Sequence, residues 1–76
     1  MAELILNYIG NDDWHRPVYK TNEGRLFVDI DPRCVYASLH TLSGNNLYGE
    51  PEMPIYAMEQ YKDIENIVFV PERKTW

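Results

Sequence analysis

The stretch "RPVYKTNEGRLFVDID", Arg16 to Asp31, sets two runs rich in β-branched and aromatic residues on either side of Asn22-Glu23-Gly24. Such runs favour strands, and a short loop ending in glycine can take the left-handed conformation that closes a bulged hairpin. The spacing therefore predicts a hairpin turning at Gly24. In its second arm Leu26, Val28 and Ile30 share one face, while Arg25, Phe27, Asp29 and Asp31 share the other, because side chains alternate along a strand. A core side and a largely polar side are expected.

Upstream, "ELILNYI" (Glu3 to Ile9) reads as a strand with both faces partly covered, ended by Gly10-Asn11-Asp12-Asp13, residues that favour turns. Downstream, Pro32 ends the hairpin arm because it lacks a donor and restricts the residue before it. "VYASLHTL" (Val35 to Leu42) is expected as the third main strand, followed by the loop "SGNN". "GEPEMPI" (Gly49 to Ile55) holds two prolines and one glycine and should be irregular or run along an edge. Residues 53–64 stay open: Met53, Tyr56, Ala57, Tyr61 and Ile64 fit a short helix, and Ile55, Ala57 and Tyr61 also suit an extended chain. "NIVFVP" (Asn66 to Pro71) reads as a strand, and "ERKTW" as a polar tail unless Trp76 docks. The expectation is one small domain over residues 1–76, mostly β or α+β with one short helix: a small antiparallel sheet or partial barrel of four to five strands around a central hairpin.

A chain of 76 residues buries only about 60% of its unfolded surface, which leaves little depth for a catalytic cleft. Seven Lys and Arg against 12 Asp and Glu give a net charge of −5. That charge opposes a phosphate backbone, so no direct nucleic-acid binding is expected and proteins are the expected partners. The single cysteine, Cys34, allows no internal disulfide, which fits a reducing compartment and a cytoplasmic location. "MAELILNYIGND" lacks a basic segment and its apolar run breaks at Asn7, so neither a signal peptide nor a membrane span is expected.

No residue set dictates a reaction. Cys34 with His15 or His40 would make a nucleophile and base only within hydrogen-bond reach, and an inert, partly buried cysteine is the ordinary reading. One cysteine and two histidines without a close pair do not make a four-ligand zinc site. Asp29 and Asp31 flank Ile30 and would project from one sheet face, where a divalent cation could use them. No calcium-loop spacing accompanies them, and a solvated face that blocks edge pairing explains them. No catalytic residue, metal or cofactor is assigned, and the chain is read as a non-enzyme.

"NDDWHRPVY" (Asn11 to Tyr19) is the densest cluster of binding-type residues. Read as scaffold, Trp14 plugs the open end of the core, Arg16 pairs with Asp12 or Asp13, and Pro17 starts the hairpin. Asp12, Asp13 and His15 are then left exposed. Read as an interface, its Trp, Tyr and Arg are the types that dominate binding energy.

The combination "YIGNDDWHRPVYKTNEGRLFVDIDPR" followed by "NNLYGEPEMPI" resembles small domains attached to, or encoded beside, large polyvalent proteins of phages and conjugative elements in Firmicutes. The likeness runs from Leu4 to Ile55 and departs from the family at Tyr48, where a Phe-Asp pair is expected, and at Cys34-Val35-Tyr36. It implies an accessory, regulatory or protein-binding module without catalytic residues, one that acts on host defence or replication proteins. The expected contact surface comprises Asp12, Asp13, Trp14, His15, Arg16, Asn45, Asn46, Tyr48 and Glu50, facing a host or element-encoded protein. An acidic nucleic-acid mimic using Asp12, Asp13, Asp29, Asp31 and Glu50 is the alternative, and a metal-dependent hydrolase using Asp29 and Asp31 a further one. A homodimer covering a sheet edge or the Phe27 side is compatible with the sequence.

Overall fold

The computed structural model describes residues 2–34 and 37–72, Ala2 through its backbone alone. Six strands follow in order: β1 (Ala2–Asn11), β2 (Pro17–Thr21), β3 (Leu26–Asp29), β4 (Leu39–Leu42), β5 (Pro51–Pro54) and β6 (Ile64–Val70). They form one sheet ordered β5-β4-β3-β2-β1-β6. The molecule is mostly β, as the alternation predicts.

The central hairpin forms at the expected place. Val18, Tyr19 and Lys20 face Val28, Phe27 and Leu26. The turn closes through Thr21 N–H donating to the Arg25 carbonyl (2.9 Å) and Gly24 N–H to the Thr21 carbonyl (3.0 Å). Gly24 has φ 95°, a conformation that glycine adopts without a Cβ penalty. The proline-rich stretch makes β5, an edge strand, where a missing donor costs no ladder bond.

Three expectations are corrected. The sheet has six strands and is mixed: β1 to β5 meander antiparallel, and β6 pairs parallel with β1. β5 points the same way as β1, so the 55–63 connection, which leaves the far end of β5, must cross the sheet diagonally to start β6. An α-helix over 55–63 would rise only about 14 Å, whereas five strand spacings come to about 24 Å. Turns linked end to end reach further, each spanning up to about 7 Å. Met58, Tyr61 and Ile64 N–H groups donate in series to the carbonyls of Ile55, Met58 and Tyr61. Only Ile55–Ala57 makes a 3-10 turn, and the helical reading of 53–64 gives way.

Second, β3 has no solvated polar side, because Leu26, Phe27, Val28 and Asp29 are all buried. On one face Leu4, Leu6, Tyr19, Phe27 and Leu39 pack with Ile55 and Tyr61 of the crossover. The Phe27 and Tyr61 rings meet edge to face at 5.4 Å, a favoured aromatic geometry. On the other face Val18, Leu26, Val28 and Leu42 pack with Leu47 of the 43–50 loop. Ile55 and Tyr61 of the crossover thus cover the Phe27 side.

Third, the strand expected from Val35 starts at Leu39; Val35 and Tyr36 lie outside the described residues, as does Trp76. The ladder opens where Ile30 N–H donates to the Ser38 carbonyl (3.1 Å) and the Asp29 carboxylate accepts from Ser38 N–H (3.1 Å). Among the described residues no helix is long and apolar enough to cross a membrane.

Candidate functional site

The β1–β2 connection is organised by one carboxylate. Asp12 Oδ1 accepts from the backbone N–H groups of Trp14 (2.9 Å) and Arg16 (2.8 Å). Its Oδ2 accepts from Arg16 Nε (2.8 Å) and pairs with the terminal guanidinium nitrogen at 2.8 Å. Asp12 N–H donates to the Arg16 carbonyl and His15 N–H to the Asp12 carbonyl, closing a five-residue ring of backbone. His15 sits there at φ 61°, uncommon for a residue with a Cβ. Asp12 is only 6% exposed, as a carboxylate with so many donors can be.

This ring turns Trp14 outward. Its side chain does not plug the core: it is 77% exposed, with the Arg16 guanidinium 5.8 Å from the ring centre as its cation partner. Core closure near this end falls to Pro17, which is fully buried. Against the scaffold reading, Asp12 is the buried member of the pair and Trp14 the one open to solvent.

The second segment is the 43–50 loop, and asparagines fold it. Asn45 Oδ1 accepts from Leu26 N–H (2.8 Å) and its Nδ2 donates to the Gly24 carbonyl (2.9 Å), tying the loop to the hairpin tip. Asn46 Oδ1 accepts from Tyr48 N–H (3.0 Å), and Gly49 N–H donates to the Asn46 carbonyl. A Cβ at Gly49 would collide with the Ser43 backbone, so only glycine allows this return. Leu47 packs against the Val18, Leu26, Val28 and Leu42 cluster, and Tyr48 turns out, 66% exposed.

Folding the loop over the Val28 face brings the two segments together around one cleft of about 360 Å³. Asp12, Asp13, Trp14 and Arg16 line one side and Tyr48, Gly49, Glu50 and Pro51 the other. Of the nine residues expected at a contact surface, Asp13, Trp14, Arg16, Tyr48 and Glu50 line the cleft and are at least partly exposed. Asp12 forms its buried floor, Asn45 and Asn46 hold the loop, and His15 is exposed but outside the lining. Gly49 and Pro51 were missed; the proline-glycine punctuation of the segment signalled a turn, not a wall.

The remaining acids and the cysteine are placed as follows. Asp29 is 0% exposed and its Oδ1 accepts from Asp31 N–H and Ser38 N–H, both at 3.1 Å, which corrects the solvated-face reading. Two of the five acids of a phosphate-like surface, Asp12 and Asp29, therefore point inward. Cys34 is exposed, not partly buried, and its thiol donates to Asp31 Oδ2 at 2.8 Å. Among the described residues no three His, Cys, Asp or Glu side chains converge as metal ligands would.

Comparison with protein-family models gives no match, and comparisons with known proteins and with solved structures give none. Fold and cleft thus define the class by themselves: a small mixed β-sheet domain with a cleft, lined by two aromatic and several acidic residues, formed by two of its loops.

Proposed function

We propose that this chain is a non-enzymatic protein-interaction module of a phage or other mobile element, acting in the bacterial cytoplasm by docking a host or element-encoded protein. The observation that carries this reading is the pair of large aromatic side chains, Trp14 and Tyr48, held open to solvent in the lining of one cleft. Exposing such rings without a partner wastes apolar burial, and Trp, Tyr and Arg are the types that anchor interfaces. Both rings stand on loops whose backbones are locked by Asp12 and the two asparagines, so little ordering cost remains at docking. The sequence resemblance to accessory domains of mobile elements supplies the setting, with host defence proteins as the favoured targets.

The test is quantitative capture from a Firmicutes host lysate by the immobilised wild-type chain and by the Trp14→Ala/Tyr48→Ala variant, followed by affinity measurement on the purified target. Loss of one anchor is expected to cost at least about 2 kcal/mol, about 30-fold in affinity, so binding of the double variant should fall by more than that. A folded double variant that retains the same targets at the same affinity overturns the reading.

A further inference from the structure

We propose that the Trp14–Tyr48 cleft receives a cationic side chain, a lysine or arginine, projecting from a basic segment of the partner. This rests on the docking function above and names its chemistry. Three observations converge on it. Asp12 and Arg16 neutralise each other within the cleft, so the remaining charges, Asp13 and Glu50, make it net negative. Among the described residues neither carboxylate has an ion pair. The walls are aromatic, and one of them already holds a cation: the Arg16 guanidinium lies 5.8 Å from the Trp14 ring centre, inside the distance at which a cation is drawn to a ring face. That ring still keeps 77% of its surface in solvent, and Tyr48 lines the same cleft, so aromatic surface remains for a second cation.

The alternatives fit less well. An anionic group would meet Asp13 and Glu50 on both sides. A purely apolar side chain would bury these carboxylates without a partner, a large cost. A cation satisfies carboxylates and ring faces together, and a whole-chain charge of −5 draws basic partners toward the surface before contact.

The experiment is an NMR titration of the full chain at low salt with N-acetyl-arginine methylamide, and with its neutral isostere N-acetyl-citrulline methylamide. The arginine probe should shift the Trp14 indole N–H and the Tyr48 and Gly49 amides in a saturable way, and the citrulline probe should leave them unmoved. In the Asp13→Asn/Glu50→Gln variant, arginine affinity should fall by about tenfold, the scale of losing a charge-assisted contact. Equal shifts by both probes, unchanged affinity in that variant, or arginine shifts confined to other acidic positions would each overturn the proposal. The two readings fail differently. Capture lost in Trp14→Ala/Tyr48→Ala but untouched in Asp13→Asn/Glu50→Gln would leave docking standing and refute the cationic occupant. Arginine binding at the cleft with capture unaffected by either variant would refute the docking function alone.

Discussion

Replacing Asp12 tests the central structural claim, that one carboxylate holds the β1–β2 loop. In Asp12→Ala the N–H groups of Trp14 and Arg16 lose their acceptor. Both are half-buried, so water replaces the bond in part, and each costs about 0.5–1.5 kcal/mol. Arg16 loses its counter-charge with a side chain only 22% exposed. Breaking a fully buried pair costs about 3–5 kcal/mol, and discounting for the exposure of Arg16 leaves about 1–2. The sum is about 3 kcal/mol. Against a total of about 4–11 kcal/mol for a domain of this length, that is a large fraction, and it corresponds to a drop in Tm of about 12–24 °C. Asp12→Asn keeps an oxygen for the two amides but sets an amide donor against the guanidinium, so about half of the loss is expected, about 1.5 kcal/mol. Asp13→Ala, one residue along and exposed, should stay within about 0.5 kcal/mol. Urea denaturation followed by circular dichroism measures all three, with an unchanged m-value showing that the same surface unfolds. If Asp12→Ala loses under about 0.5 kcal/mol, or if Asp12→Asn falls as far as Asp12→Ala, the carboxylate does not organise the loop in this way.

Two further variants separate scaffold from surface. Trp14→Ala should leave thermal stability within about 0.5 kcal/mol of wild type, because the ring is mostly in solvent; a loss of several kcal/mol in a thermal melt would restore the core-plug reading. Gly49→Ala should destabilise by about 1–3 kcal/mol, the range for forcing atoms into occupied space, since its Cβ meets the Ser43 carbonyl. The same variant should alter the Tyr48 amide shift, and a chain with wild-type stability and spectrum would contradict the tight return drawn for the 43–50 loop.

What the sequence made legible is short-range. The hairpin depends on alternation and on Gly24, both contained within Arg16 to Asp31, and β5 depends on prolines that exclude a central place. The parallel pairing of β6 with β1 was hidden because it depends on where a crossover lands, sixty residues from its partner strand. The face assignment failed for a different reason. Asp29 marked its side of β3 as polar, yet two backbone N–H groups satisfy its carboxylate under the crossover, and a satisfied carboxylate can be buried where an unsatisfied one cannot. Asp12 misled in the same way. Charge alone pairs it with Arg16, which was legible, but its second oxygen caps two backbone amides, and that decides which way Trp14 faces. In both places a short acidic side chain stands in for missing backbone acceptors, and at Asp12 the loop it holds leaves Trp14 in solvent. Asp13 and Glu50, which cap nothing among the described residues, are then the acids left to define the charge of the cleft.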